Sequence, residues 1–564
     1  MNLKKNEIHQ TEITGMTTEG SGVGRINGTA VFITNTAIGD VINARIIKTS
    51  KNYAIGKIEE IITPSPQRTK PDCEYFAQCG GCTYRHITYE AECEIKQQRV
   101  KDAVTRIGGF DKLEIKPIIG GNSRNHYRNK AQLPVGVDNK GNLVMGFYAY
   151  HSHRIVNSTS CNLQPPVFSQ IGEIVREWAI KNKIAPYNEQ NHTGLLRHLY
   201  IRYGEVTGEI MVCLVINGNS IPHTELLTEK LKQIDGFKSL QLNINKEKTN
   251  VILGKKCITL YGSDYITDVL CGLKFNISPL SFYQVNRTQA EKLYSIAQEY
   301  AQLQPDDILL DLYCGTGTIG LSMAHKVQKL IGVEVIPQAI ENANRNAKLN
   351  GIDNAEFICG DATKASKDLE ARGIKPSVII VDPPRKGCDK QLIEIISNMS
   401  PQRVVYVSCD SATMARDIKI FNEYGYTPQQ VTPVDMFPGT SHVECVCSLS
   451  RQSNVHHMKL NPSPFEKIKS REKTIELRLF DEKRQQIKAG DKIVFTNNVT
   501  GETLDTTVVK LHRFDTFDEL YKTLPLLQCG YTSEDINKAT PADMELYYSV
   551  EEQEKYGVVG IELC

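Results

Sequence analysis

Cys409 closes an apolar strand, VVYVSC, that begins at Val404 and comes last in a series of short β-branched runs, each followed by a helical pattern. The earlier members are ILLDLYCGTGTIG at 308–320, IGVEV at 331–335, EFICGD at 356–361 and VIIVDPPRKG at 378–387. In an open parallel α/β sheet ligands bind beyond the carboxyl ends of the strands, so a thiol at that edge faces a substrate. A thiolate there can act as a nucleophile, being strong in itself and easily activated, whereas a lone cysteine is more often inert packing. Asp311 lies at the end of the first strand, and Gly315, Gly317 and Gly320 match a dinucleotide fingerprint. Glu334 closes the next strand, placed to bind a ribose hydroxyl pair, which suits NAD and S-adenosylmethionine alike. The end of the fourth strand separates the two. A nicotinamide site gains nothing from Asp382-Pro383-Pro384, whereas methyl transfer to planar nitrogens or bases often uses an acidic or amide residue before Pro-Pro beside the methyl.

A second group of reactive residues lies far upstream. Cys73, Cys79 and Cys82 form a C-x5-C-G-G-C array, and Cys161 in STSCNL is a candidate fourth ligand. The amino terminus MNLKKNEIHQ lacks the apolar stretch of a secretory signal, and no run approaches the roughly 18 apolar residues of a membrane span. A cytoplasmic protein without a membrane partner is therefore expected, and its 16 cysteines point to metal ligation, catalysis or packing rather than disulfides. Four thiolates suit zinc or an iron–sulfur cluster, and the spacing leaves these even. Lys+Arg 66 against Asp+Glu 65 gives +1, so any surface attracting nucleic acid must be local.

These residues need several frameworks, since 564 residues exceed one core. Residues 5–62 alternate polar and apolar positions between Gly and Asn turns, the spacing of a small all-β barrel. TPSPQRTKPD at 63–72 reads as a linker. Tyr89 to Gly108 has a helical, basic pattern and is a candidate local basic surface. Residues 115–270 are strand-rich with few helical stretches, as in an antiparallel domain, and RQSNVHH at 451–457 reads as a second linker.

SPLSFYQVN (278–286), DLYCGTGTIG (311–320), DPPRKG (382–387), SCD (408–410) and DMFPGTSHVE (435–444) together resemble, in order, the motifs of RNA uridine-5-methyltransferases that use S-adenosylmethionine. The resemblance implies cofactor contacts from Gln284, Tyr313, Glu334 and Asp382, with Asp361 near the adenine. It also implies Cys409 as nucleophile and Glu444 as general base. Gly439 departs from the family, which usually carries a larger side chain there. Members with the cysteine array hold a 4Fe-4S cluster, which would make Cys73, Cys79, Cys82 and Cys161 its ligands. Members with both barrel and cluster tend to act on large-subunit (23S) ribosomal RNA. The first 60 or so residues resemble a TRAM domain, and KSREKTIELRLFDEKRQQIKAGDKIVF resembles an ASCH domain, with Lys473, Glu476 and Arg478 as its signature and Arg471 where glycine is usual.

The expected chain is an α/β multidomain enzyme. A TRAM-like β-barrel occupies 1–62, and an iron–sulfur and central, mostly antiparallel β region that binds RNA occupies 73–270. A Rossmann-like S-adenosylmethionine methyltransferase domain follows over 275–450, then an ASCH-like, PUA-like β-barrel over 456–564. No obligate protein partner is evident. A nicotinamide oxidoreductase is the first rival, and it leaves SCD and HVE without purpose. A non-catalytic RNA-binding factor is the second, opposed by the intact Cys409 and Glu444. Arg385 and Asp410 either hold the uracil edge, tune the thiolate or form an ordinary surface pair.

Overall fold

Strong alternation closes the five strands Ile8–Met16, Gly22–Ile26, Thr29–Ile33, Val41–Thr49 and Tyr53–Thr63 into a barrel. Ile13, Val31, Ile33, Ile42 and Ile46 point inward and are wholly buried, while the residues between them meet solvent. The structure, a computed structural model, describes residues 3–488 and 490–564, and it divides into two units, Met1–Ser450 and Arg451–Cys564.

The central sheet of the first unit has seven strands, and one of its pairs is parallel. Ile210–Ile216 and Phe237–Ile244 run side by side because the helix Thr224–Leu231 crosses between them, as a parallel connection requires. Every other pairing in this sheet is antiparallel. A second helix, Pro166–Lys181, covers one face with Phe168, Ile171, Val175 and Trp178. The expected antiparallel layer is therefore a mixed sheet backed by helices.

The eight-stranded sheet carries the chemistry. Its order runs Ala355–Cys359, Lys329–Glu334, Ile308–Leu312, Val378–Val381, Arg403–Ser408, Glu444–Arg451, Tyr426–Val434 and Glu114–Ile115. The first five are parallel, and the chain order reverses between Ile308–Leu312 and Val378–Val381, which makes a crevice at their carboxyl ends. Glu444–Arg451 is antiparallel to Arg403–Ser408, so its amino end lies at that same edge.

The helix Tyr89–Asp102 ties this sheet to the rest of the unit through a buried ionic node. Lys96 is 1% exposed, and its ammonium donates to Glu92 and Asp435, each at 2.7 Å and each fully buried. Glu92 also accepts from Arg124 at 3.0 Å and from the Gly439 backbone at 2.6 Å, while Asp435 accepts from Tyr89 at 2.8 Å. The sequence suggested a basic surface over this segment. Of its cations Lys96 is instead buried against carboxylates, while Lys101 and Arg106 remain exposed.

In the second unit five strands form a sheet in the order Val455–Leu460, Lys492–Asn497, Thr503–Phe514, Val558–Leu563, Ile475–Leu479. Among the described residues its two outer strands do not pair, so the sheet is open where a closed barrel was expected. Phe465, Ile493, Phe495 and Ile561 fill one side of it. Glu476 is 4% exposed and bridges Lys473 and Arg478, both at 2.9 Å. Arg471 has φ 63°, the left-handed region that glycine enters without strain, which accounts for the family's usual residue at this position.

Lys96→Met leaves the buried Asp435 without its cation and Glu92 with Arg124 alone, and the first unit should lose about 3–5 kcal/mol in denaturant unfolding. Neutralising the partners as well, with Glu92→Gln and Asp435→Asn, should recover most of that loss. A single variant as stable as the parent would show the node to be incidental.

Candidate functional site

One cavity of about 1420 Å³ opens at the carboxyl edge of the parallel strands. Gln284, Tyr313, Glu334, Asp361, Asp382, Cys409 and Glu444 all line it, and so do Cys73, Cys79, Cys82 and Cys161.

Local backbone geometry places the cofactor-side residues. Tyr313 has φ 65°, an uncommon left-handed conformation for a bulky side chain, and Gly315 and Gly317 follow at φ 56° and 80°. This tight turn starts the helix Thr318–Met323 and brings Tyr313 and Gly315 to the cavity. Asp311 is buried behind the turn and accepts from Gly320 N at 2.9 Å, so it supports the loop rather than facing the cavity. Glu334 accepts from Gly315 N at 3.3 Å and from Ile336 N at 2.9 Å, which fixes its carboxylate beside the glycines. Asp361 caps the helix Ala362–Ala371 through Thr363 N and Lys364 N. Burial alone pushes Asp382 up to about 6.

Strand register brings Cys409 and Glu444 together across 35 residues of sequence. Ser408 faces Cys445 in the antiparallel pair, so Cys409 and Glu444 are the next facing positions at the edge. Burial, then the Glu444 and Asp382 carboxylates, push the Cys409 thiol up to about 11, while Arg385 opposes them. Burial and Asp382 raise Glu444 to about 8, and Arg385 again pulls down. The site thus holds a thiol and a carboxyl group in low dielectric, with Arg385 acting on both. Arg385 lines this cavity, whereas Asp410 caps the helix Ser411–Glu423 through Ala412 N and Thr413 N. His442 also lines the cavity, and burial lowers its imidazole below the usual range.

The sequence set the four cysteines apart from this chemistry, and the fold brings them to the same cavity. Thr83 N and Tyr84 N, immediately after Cys82, both donate to Gly439 O, at 2.8 and 3.0 Å. Gly439 has φ 86°, with no atom closer than 3.7 Å to where a Cβ would stand, so conformation rather than space calls for glycine. The segment leading to Glu444 is therefore laced to the cysteine loop on one side and to Glu92 on the other. Burial pushes the Cys161 thiol up to about 12, with repulsion from Cys82, Cys79 and Cys73 adding to it. Among the described residues, no three such side chains converge to hold a single metal ion.

Sequence reasoning missed Arg128, Lys130, Phe437 and Thr440, which also line the cavity. The first two carried a legible signal, cations at alternate positions entering a strand in YRNKAQLPV.

Comparison with known proteins agrees with this geometry. The family model described as tRNA (Uracil-5-)-methyltransferase matches residues 88–452, a TRAM domain model matches 6–58, and an ASCH domain model matches 458–563. A protein of Clostridium tetani named as an uncharacterized RNA methyltransferase is 45% identical over 445 residues, 79% of this chain and 96% of its own length. One from Halalkalibacterium halodurans, similarly named, is 43% identical over 452 residues, covering 79% and 98%. The crystal structure of Pyrococcus abyssi tRNA (uracil-54, C5)-methyltransferase in complex with S-adenosyl-L-homocysteine is similar with TM-score 0.64 and 27% identity, over 78% of this chain and all of that one.

The Cys409 thiol should be alkylated by iodoacetamide slowly near pH 7, with a rate that climbs toward pH 11 as the thiolate forms. Glu444→Gln removes a neighbouring negative charge, so at pH 9 the rate should rise. Peptide mass spectrometry resolves Cys409 from the other cysteines. A rate that is unchanged or lower in Glu444→Gln would break the electrostatic link between the two residues.

Proposed function

The chain belongs to the tRNA (uracil-5-)-methyltransferase family, and we propose that it methylates carbon 5 of uridine through a covalent cysteine–uracil intermediate, in large-subunit (23S) ribosomal RNA because it resembles the members that carry both a TRAM barrel and the cysteine array. It is a methyltransferase of RNA dependent on S-adenosylmethionine, with a TRAM domain before the catalytic region and an ASCH domain after it. The observation that carries the covalent mechanism is the facing pair of Cys409 and Glu444 at the ligand edge of the sheet.

S-adenosylmethionine, when bound, supplies an electrophilic methyl on a positively charged sulfur. Gln284, Tyr313, Glu334, Asp361 and Asp382 are the residues that would hold it, and their carboxylates suit a cationic ligand. Carbon 5 of uracil is a poor nucleophile. Cys409 attacks carbon 6 and turns the ring into an enolate, which makes carbon 5 reactive. Once carbon 5 carries both methyl and hydrogen, Glu444 takes the proton and the thiolate leaves. Such base catalysis contributes about a hundred- to ten-thousandfold. A carboxylate raised to about 8 is a stronger base than a solvated one, and Arg385 is the chain's own cation favouring the ionised forms of both groups. The target base must leave its stack to reach both groups, and the cavity has room for it.

Cys73, Cys79, Cys82 and Cys161 would hold a 4Fe-4S cluster. The choice of cluster over zinc rests on the resemblance of the array to family members that hold one, and the four thiols lie near enough to repel one another. No described helix is long and apolar enough to cross a membrane, and we place the enzyme in the cytoplasm with its RNA. A transfer RNA target is the second reading, favoured by the name of the family model and by the Pyrococcus abyssi structure. Mapping 5-methyluridine in both RNAs, with and without the protein, decides between them.

Glu444→Gln should still form the adduct and deliver the methyl, then stall with methylated RNA attached through sulfur. Denaturing electrophoresis with methyl-labelled S-adenosylmethionine should show labelled RNA on this variant and none on the double variant with Cys409→Ala. Normal turnover by Glu444→Gln would remove Glu444 as the base and leave His442 as the next candidate. Anaerobically purified protein should contain iron and acid-labile sulfide, both diminished by Cys161→Ser, whereas stoichiometric zinc without sulfide would defeat the cluster. Removing residues 456–564 should leave methylation chemistry intact, because every motif for methyl transfer precedes residue 445. A folded truncation unable to bind S-adenosylmethionine would place the tail within the catalytic unit.

A further inference from the structure

Cations reach the cavity from two sheets. Arg385 and Lys386 follow the parallel strand Val378–Val381, beside the carboxylates Glu334, Asp361, Asp382 and Glu444, while Arg128 and Lys130 stand at one end of the central sheet. Lys130 begins the strand Lys130–Val137, whose alternate residues Ala131, Leu133 and Val135 enter the core. The intervening row of Lys130, Gln132 and Pro134 turns the other way.

Cations crowd the start of that row. Arg202 is directly opposite Lys130 in the antiparallel ladder, an arrangement of like charges that is unfavourable without a counterion. Among the described residues none of Arg128, Lys130 and Arg202 pairs with a carboxylate. Arg202 is 4% exposed and donates one N–H to the carbonyl of Ser281, a cavity residue, and its Nε and Nη1 are buried without a hydrogen-bond partner. Burial, with Arg202 and Arg128 adding repulsion, pulls the Lys130 ammonium down to about 7. Arg128 and Lys130 face the cavity without a carboxylate partner, with the buried Arg202 adding positive potential behind them, and together they make a site for an oxyanion.

The far end of the row reaches a different surface. Gln132 lines both the main cavity and a second one of about 500 Å³, which Pro134, Tyr148 and Tyr150 also line. From Lys130 to Pro134 is roughly 13 Å of strand. Tyr150 is 51% exposed, with its ring centroid 4.0 Å from that of His151, and it abuts the cysteine loop, where a Cβ on Gly80 would come within 2.9 Å of the Tyr150 backbone. An exposed aromatic ring beyond a cationic grip is the arrangement by which proteins hold single-stranded nucleic acid.

We propose that this row carries the RNA strand on one side of the flipped uridine, with Arg128 and Lys130 gripping a backbone phosphate, Arg202 buried behind them, and Tyr150 stacking an adjacent base. This rests on the reading of the cavity as an RNA methyltransferase site. The oxyanion has another possible source, the carboxylate of S-adenosylmethionine, and the experiment separates the two.

Binding is measured across a salt series with unmodified large-subunit ribosomal RNA and transfer RNA transcripts, and separately by calorimetry with S-adenosyl-L-homocysteine alone. Lys130→Met should weaken RNA binding and reduce the slope of log K against log salt by about 1. Lys130→Arg should restore the slope. Tyr150→Ala should weaken RNA binding roughly fivefold or more with the slope unchanged. Binding of S-adenosyl-L-homocysteine should be the same in all three variants, which also reports that they are folded. An unchanged slope in Lys130→Met overturns the proposal, as does unchanged RNA affinity in Tyr150→Ala. Weakened S-adenosyl-L-homocysteine binding in Lys130→Met assigns the cations to the cofactor carboxylate and overturns it too. If the parent enzyme neither binds nor methylates either transcript, the methyl-transfer reading itself has failed, which these variant comparisons cannot mimic.

Discussion

The buried ammonium of Lys96 is the constraint on which the geometry of the site depends. Two carboxylates from distant parts of the chain, Glu92 and Asp435, are removed from water around it. Neither can be tolerated there without the cation, since an unpaired buried charge costs several kcal/mol. The helix Tyr89–Asp102 is thereby fixed against the turn at 435–439, and the Gly439 amide adds its own bond to Glu92. That turn leads within five residues to Glu444. The barrel joins the same framework, because Arg99 donates to the carbonyls of Thr18 and Ser441, at 3.1 and 2.9 Å.

Desolvation then sets the chemistry. Asp382, Cys409 and Glu444 lie where water is scarce, and each is shifted toward its neutral form chiefly by that burial. Glu334, Asp361 and Asp382 bring carboxyl groups to the cavity from the parallel sheet, and Arg128 and Lys130 bring cations without a carboxylate partner from the central sheet.

In the second unit Glu476 lies between Lys473 and Arg478, so two of the cations that make its segment look basic are neutralised within the fold. The relatives named above are matched over 96–98% of their length by about 450 residues of this chain. The catalytic assembly is accordingly common to them, and the ASCH domain is an addition to it here.

Much of the site was legible in the sequence because its parts are contiguous. DPPRKG, SCD and GTGTIG each place their reactive residue at the end of an apolar strand, and a strand's polarity fixes which edge it serves. The barrel was legible from its period of two, since one buried face dictates the alternation. Other features depend on surfaces that meet only after folding. The closeness of Cys409 and Glu444 follows from an antiparallel register, the parallel pair in the central sheet from a crossing helix, and the open sheet of the second unit from which strand edges find partners. Lys96 reads as one more basic residue on a helix, and nothing local reveals that Asp435 will close over it. The cysteine spacing likewise set four thiols apart but did not give their place beside the cavity. Residue type and spacing determined what each group can do; the tertiary structure decided which groups share one desolvated cavity, because burial and charge pairing are properties of the assembled chain.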